Sequence, residues 1–428
     1  VAQGERRTVT PNAHQTGRPT LQPIAAWRRQ IETELTGNIL PFWIERTADA
    51  VNGGFVGALS NDLQVHNEEP RSAVVCARIL WTFAAAFRRY RRPTYLAFAE
   101  RAYQYLTGPF WDAAHGGVYW QIAADGQPSS ARKHTYAQAF AIYGFAEYYR
   151  ASGDAAALGR AWELLALIER HAHEPRYGGY VEGCGAAWES LDDMRLSAKE
   201  PPSRKSMNTL LHVLEAFTTL LEASASGAEA GADSGARHAL VRMRLEELID
   251  LFLDKVLTPE GRFLLYFADN FTPLPDHISY GHDIEGAWLL VEAAQALGDP
   301  DRLARTRAAA VEIADAVLVR GRAADGSIVY ARHLDGTVDA TKHWWAQAEG
   351  VVGFTNAWQI SHDDRYLAAA QAVWRVIQEE FVDREHGDWF KVLDAEGRPL
   401  PDQYKVGPWE CPYHHARMCL ELLTRFHA

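Results

Sequence analysis

The stretch "HGGVYWQIAADGQPSS", residues 115–130, holds a glycine turn, a short run of β-branched and aromatic residues, and a polar "ADGQ" turn. That order is the signature of a short β-hairpin. Five other stretches begin the same way: "NGGFVGAL" from Asn52, "YGGYVEGC" from Tyr177, "EGRFLLYF" from Glu260, "DGSIVYAR" from Asp325 and "HGDWFKVL" from His386. The glycines recur roughly every 62 residues, a constant period of the kind that marks a repeat architecture. One interval is longer, from Gly178 to Gly261, and it contains "ASASGAEAGADSGA" from Ala223. Residues 223–236 are therefore expected to be a flexible, low-complexity insertion.

Two helical patterns lie between the hairpins. Helices after a hairpin, such as "TYAQAFAIYGFAEYYR" from Thr135 and "QAEGVVGFTNAW" from Gln347, are apolar nearly all round. Those before a hairpin, such as "DRLARTRAAAVEIADAVLVRGR" from Asp301, carry charge along one face. The first kind belongs inside and the second outside, with one stripe turned inward. Six such pairs make twelve helices. An open array would need polar capping repeats, yet the last helix, "HARMCLELLTRF" from His415, is as apolar as its equivalents. The pattern predicts an all-α chain closed into an (α/α)6 barrel, with short β-hairpins at one end. A single catalytic domain is expected over residues 24–428, behind a polar, disordered segment over residues 1–23.

Composition narrows the function. The 428 residues are 47% hydrophobic and carry a net charge of -12, without the basic stripe that nucleic-acid binding needs. No apolar run reaches the length of a membrane span. The first twenty residues lack the apolar core of a secretory signal, and the four cysteines show no C-x-x-C pair. These features point to the cytoplasm and to a monomer whose partner is a small molecule. "GCGAAW" from Gly183 fails the dinucleotide pattern, and there is no H-E-x-x-H, thiolate cluster or G-x-S-x-G elbow. Neither cofactor nor metal is expected, which leaves histidine acid/base chemistry supported by carboxylates.

A ring of inner helices would bring their N-termini to one rim. Their opening residues read "PRSAVVCAR" (Pro70 to Arg78), "RKHTYAQ" from Arg132, "KSMNTLLH" (Lys205 to His212), "SYGHDIE" (Ser279 to Glu285), "KHWWAQAE" (Lys342 to Glu349) and "CPYHHAR" (Cys411 to Arg417). Five of the chain's 17 histidines fall here: His134, His212, His282, His343 and His414. Ser279, Asn208 and Asp283 also suit helix capping. His282 and Glu285 share a helix face, as do His414 and Arg417, and Asn208 and His212. Tyr136, Trp344, Trp345, Trp409 and Tyr413 gather at the same rim, with Trp120 and Tyr330 in the hairpins. Flat rings edged with polar groups suit a sugar, whose faces are C–H rich and whose edges are hydroxyls.

The motifs "KHTYAQAFAIYGFAEYY", "RLSAKEPPSRKSMNTLLHVLEAF", "YGHDIEGAWLL", "KHWWAQAEGVVGFTNA" and "KVGPWECPYHHARMCLE" closely resemble the cellobiose 2-epimerases of the N-acylglucosamine 2-epimerase superfamily. The likeness runs from about Ile24 to the C-terminus. It implies the same barrel and a cofactor-free conversion of reducing-end glucose to mannose in β-1,4-disaccharides such as cellobiose or lactose. By this resemblance His282 and His414 are the general acid/base pair, and His212 assists ring opening and proton handling. Arg78, Tyr136 and Asn208 bind hydroxyls and stabilise an enediolate, and Glu285 partners a catalytic histidine. Trp345 and Trp409 stack on sugar, and Tyr330, Trp344 and Glu349 complete the substrate-binding set. The family usually has His at Leu210, Asn at Cys76, Lys at Glu410 and Asn at His415. The last two changes are expected near the second-sugar site. They keep a mannose 2-epimerase or an aldose–ketose isomerase of free monosaccharides as the alternative, and hydrolysis would instead require two facing carboxylates.

Overall fold

The computed structural model describes residues 21–197, 200–225 and 234–426. Twelve helices form two concentric layers. The outer layer holds α1 (Ile24–Glu34, continued by a π-helical turn Leu35–Ile39 and by Leu40–Arg46), α3 (Pro93–Thr107) and α5 (Ala155–His171). It is completed by α7 (Ser234–Leu251, then a π turn Phe252–Val256), α9 (Pro300–Arg320) and α11 (Asp364–Val376, then a π turn Ile377–Phe381). The inner layer is α2 (Ala73–Tyr90), α4 (Thr135–Ser152), α6 (Met207–Ala225), α8 (Tyr280–Leu297), α10 (Trp344–Ser361) and α12 (Tyr413–Arg425). Each inner helix touches the next, and α12 touches α2, so the ring is closed. The fold is the (α/α)6 barrel that the repeat count predicts.

Burial follows the patterning. In α4 every residue except Arg150 and Ser152 is buried, whereas α9 buries only one stripe. Inner helices approach closely where glycine permits. A Cβ at Gly353 would lie 2.7 Å from the Ile284 carbonyl oxygen, so α8 and α10 could not keep this spacing with any larger residue. Among the described residues, no helix is long and apolar enough to cross a membrane.

The six hairpins sit at the rim where the inner helices begin. The strand before each inner helix pairs with the hairpin of the following repeat: Arg71–Ser72 with Gln121–Ile122, Lys133–His134 with Gly183–Cys184, and Lys342–His343 with Val392–Leu393. The last pairing, Tyr404–Val406 with Ala58–Ser60, joins the sixth repeat to the first. A buried basic residue in that strand then ties down the acid of a glycine turn. The pairs are Arg71–Asp49 at 3.0 Å, Lys133–Asp112 at 2.8 Å, Lys205–Glu174 at 3.3 Å, Lys342–Asp325 at 2.7 Å and Lys405–Asp383 at 2.7 Å. Each acid also accepts backbone N–H groups of its own turn, as Asp112 does from Ala114 and His115.

Two boundaries differ from expectation. Residues 223–225 end α6 and residues 234–236 begin α7, so both ends of the expected insertion are helical, and its centre lies outside the described residues. The segment over residues 1–20 also lies outside them. Gln22 is held to α11, its N–H donating to the Gln371 side chain at 2.8 Å and its carbonyl accepting from it at 2.9 Å.

Capping accounts for only some of the polar residues at the inner-helix starts: His134 accepts from the Tyr136 N–H and the Ser206 hydroxyl from that of Thr209. Neither Ser279 nor His343 caps its helix. Asp283 takes another role. At the same helical position Gln138 and Gln347 each bridge one hairpin residue, accepting from the N–H and donating to the C=O of Val118 and Ile328 respectively. Asp283 accepts from the N–H of Phe263 at 2.7 Å, and its other oxygen is buried without a partner. A carboxyl group can copy the glutamine bridge only when protonated, and burial pushes this one up to about 7. In the unfolded chain it titrates near 3.9. Its contribution is therefore complete below the unfolded value and is lost as pH rises through about 7. Asp283→Asn, which keeps a permanent donor, is expected to lose less thermal stability than the parent between pH 6 and pH 8. Equal losses in paired melting curves would remove Asp283 from this role.

Candidate functional site

The inner-helix rim opens into a cavity of about 430 Å³, within the usual size of a small-molecule site. Each inner helix contributes one turn of wall: Arg78 from α2, Tyr136 from α4, Asn208 and His212 from α6, and His282 and Glu285 from α8. Trp344 and Trp345 come from α10 and His414 from α12, while Tyr330 and Trp409 reach in from the hairpin side. Of the catalytic and substrate-binding residues assigned from the resemblance, all but one line this cavity. Glu349 is 1% exposed and stands behind His414 rather than against the cavity, so its expected substrate contact is not made.

Trp345 packs against both His282 and His414, its ring centroid 4.7 Å from that of His282 and 5.9 Å from that of His414. The imidazoles of His212, His282 and His414 are each tethered through Nδ1, which leaves Nε2 for a ligand. His212 bonds Glu215 at 2.8 Å, His282 bonds the Ser279 hydroxyl at 2.8 Å, and His414 bonds Glu349 at 2.7 Å. Glu285 partners neither: it is 3.8 Å from His414 Nδ1 and instead accepts from Arg417 at 2.6 Å. The reason is reach. Glu285 lies one turn further along α8 and meets the guanidinium at the barrel axis, while Ser279, just before the helix, is the group in line with His282.

Burial holds the His282 imidazole down at about 3, with His212 and His277 adding to the effect. His414 is also held well below the usual histidine range by burial, then by Arg78 and Arg417. Both imidazoles are thus neutral at neutral pH and can accept a proton, rather than poised at neutrality. The Arg78 guanidinium donates to the Tyr136 hydroxyl at 2.8 Å and lies 4.2 Å from the centroid of the Phe140 ring. Burial raises the Tyr136 phenol, so that side chain remains a donor. Asn208 has a buried Oδ1 with no partner in the protein. Glu285, Glu349 and His414 together have the composition of a metal site, their ligand atoms within 4.8 Å of one another. One Arg417 nitrogen already bonds both carboxylates, at 2.6 and 2.7 Å, and so takes the place of a cation.

Several wall residues escaped the sequence reading. Ser279 was visible three residues before His282, but a serine at a helix start signals a cap first. Glu200, Tyr266 and Asp276 reach the cavity from loops and a hairpin, where spacing carries no facing information. His343 stacks on Tyr330 with centroids 3.7 Å apart. His134 is structural: its Nδ1 accepts from the Tyr136 N–H and its Nε2 bonds the Met194 carbonyl at 3.2 Å. Trp120 lies behind Trp409, with ring centroids 5.8 Å apart. Of the two departures expected at a second-sugar site, Glu410 lines the cavity but His415 does not. His415 is fully buried and bonds Asp388 at 2.7 Å.

The profile of the N-acylglucosamine 2-epimerase family matches residues 53–418. The chain belongs to that family. It is 39% identical over 398 residues to a cellobiose 2-epimerase of Bacteroides fragilis, covering 92% of this chain and 98% of that one. The solved structure of cellobiose 2-epimerase from Bacillus thermoamylovorans superposes with a TM-score of 0.87 at 35% identity, over 94% of this chain and all of that one. A D-mannose isomerase of Thermobifida fusca is 28% identical over 317 residues, or 71% of this chain and 73% of that one. The protein is therefore a carbohydrate epimerase, an isomerase acting at a sugar C2.

Because His415 faces the core, His415→Asn is expected to leave kcat/KM within a few fold. Losing a buried bond to an ionised acid costs about 1–3 kcal/mol of stability. Urea unfolding beside initial rates checks both parts, and a rate loss without a stability loss would place His415 in the site.

Proposed function

We propose that this chain interconverts glucose and mannose at the reducing end of β-1,4-linked disaccharides such as cellobiose or lactose, without a cofactor. The observation that carries the reading is that His282 and His414, from non-adjacent helices, line one cavity and both pack against Trp345. The C2 hydrogen of a sugar is acidic only when C1 is an aldehyde, so the ring opens first, with His212 handling the proton. One imidazole then removes the C2 proton and leaves an enediolate. The other returns a proton to the opposite face and inverts the centre.

The two histidines suit complementary roles. A carboxylate behind His414 favours a hydrogen on Nδ1 and a lone pair on Nε2, the form of a base. The Ser279 hydroxyl behind His282 can donate or accept, so that ring can present either form. Arg78 and the Tyr136 hydroxyl are placed to stabilise charge on the enediolate oxygens, a contribution of about 3 kcal/mol where one such donor has been removed elsewhere. Trp345 offers a flat face for the reacting sugar, and Trp409 one for the second.

A second reading, epimerisation or aldose–ketose isomerisation of a free monosaccharide, is favoured by Glu410. It stands in the wall beside Trp409, where a lysine is usual in the family. Incubation with cellobiose and with mannose in D2O, followed by NMR, separates the two. A manno-configured disaccharide carrying deuterium at C2 is expected from cellobiose. A ketose would move the assignment to isomerisation, product from mannose alone would favour the second reading, and free glucose would mean hydrolysis. His282→Asn and His414→Asn should each lower turnover by at least about a hundredfold, as for loss of a positioned acid/base. Near-normal turnover would take that residue out of the mechanism.

A further inference from the structure

Beneath the cavity floor Arg417 joins four inner helices. One of its nitrogens donates to Glu215 of α6 and to the Tyr413 hydroxyl of α12. The other donates to Glu285 of α8 at 2.6 Å and to Glu349 of α10 at 2.7 Å. Arg417 and the three carboxylates are all at most 3% exposed. The outer ends of this knot are histidines of the cavity: Glu215 holds His212 and Glu349 holds His414. A single positive charge thus serves three acids and, through two of them, two imidazoles.

We propose that Arg417 is a positioning residue that sets the tautomer of His414. Its guanidinium keeps Glu349 an acceptor, so His414 donates from Nδ1 and presents the Nε2 lone pair to the substrate. The inference rests on the functional reading above and adds to it the residue on which the base form depends.

The geometry leaves two alternatives for the His414–Glu349 bond. If Glu349 is a carboxylate, the hydrogen between them belongs to Nδ1. If Glu349 is a neutral acid, it donates to Nδ1, the ring hydrogen moves to Nε2, and that atom cannot take a proton from carbon. Burial pushes Glu349 towards the neutral acid, and Arg417 is the strongest force in the opposite direction. The Trp288 indole assists by donating to the other Glu349 oxygen at 3.0 Å. The remaining charges do not replace Arg417. Glu215 is held down at about 2 because Arg417, with His212, outweighs its burial, and Glu285 is pushed up to about 7 by burial and by Glu349. Arg78 and His415 act on His414 directly but bond neither oxygen of Glu349.

The test is side-chain nitrogen NMR of the full chain labelled with 15N-histidine at pH 7.5, with His414 assigned by its loss in His414→Asn. The wild-type protein is expected to show His414 protonated on Nδ1. Arg417→Met should move the hydrogen to Nε2, and Arg417→Lys, which keeps the charge, should leave it on Nδ1. In turnover, Arg417→Met should lower kcat far more than it changes KM and move the acid limb of kcat/KM up by about one pH unit or more. An Nε2–H tautomer in the wild-type protein overturns the proposal whether or not the variants fold. So does an unchanged tautomer in folded Arg417→Met. The tautomer is read without substrate, so failure to turn over cellobiose or mannose would sink the functional reading alone.

Discussion

The barrel depends on an ion pair with a buried cation, repeated around its rim. In four repeats a lysine or arginine in the strand that leads straight into the inner helix is tied to an acid of a glycine turn, and in the sixth Lys405 makes the same pair from a strand further ahead of its helix. Such pairs are weak sources of net stability, because desolvation cancels most of the attraction. They are strong constraints on register. A strand slipped by one residue would turn its cation to the other face and part it from its acid. Each inner helix therefore starts at a set height, and six starts at one height make a cavity from residues hundreds of positions apart. The fourth repeat lacks the pair, with Ile278 before the helix and Thr258 in the turn. That repeat, which carries His282, keeps the Asp283 bond to Phe263, the counterpart of the glutamine bridges in the second and fifth repeats.

Rigid starts have an electrostatic consequence at the axis. Inner helices that converge this closely bring Glu215, Glu285 and Glu349 into one water-poor space, where three full negative charges could not coexist with one guanidinium. The group settles its charge by protonation at Glu285, pushed up to about 7 by burial and by Glu349, while Glu215 stays ionised against Arg417 and Glu349 is held as an acceptor by Arg417 and Trp288. The floor of the cavity is thus a proton reservoir as well as a scaffold, and the histidines above it inherit its state.

The architecture was legible because it rests on periodicity, which a single chain displays: a recurring glycine, six apolar helices and six amphipathic ones. Cavity residues were legible where they sit in the first turns of inner helices, since closure of the ring aims all such turns at one place. Partnership was not legible. Glu285 was paired with a histidine because it lies one turn from His282, yet hydrogen bonds across the axis link α10 to α12 and bypass that neighbour. Glu349 was placed against the substrate although it lies behind His414. His415 was drawn towards the sugar by its adjacency to His414, but successive helical residues point about 100° apart and this one meets Asp388 in the core. The repeated acid before each glycine turn stood in plain view. It was passed over because a charged turn residue reads as solvent-exposed until its buried partner is known.

The division of labour between floor and mouth bears on how substrate choice can change without loss of the reaction. Nδ1 tethers, guanidinium and imidazoles stand on helices whose positions are fixed by close contact, as at Gly353. Tyr330, Trp409 and Glu410 stand outside the helices, on hairpins and loops. A change from lysine to Glu410 alters the charge of the cavity wall and leaves His282, His414 and their Nδ1 partners untouched. A change at the floor, by contrast, disturbs a shared proton balance and with it several side chains at once. Selection of sugars is therefore free to drift at the mouth, while the chemistry at C2 is held by the charges beneath it.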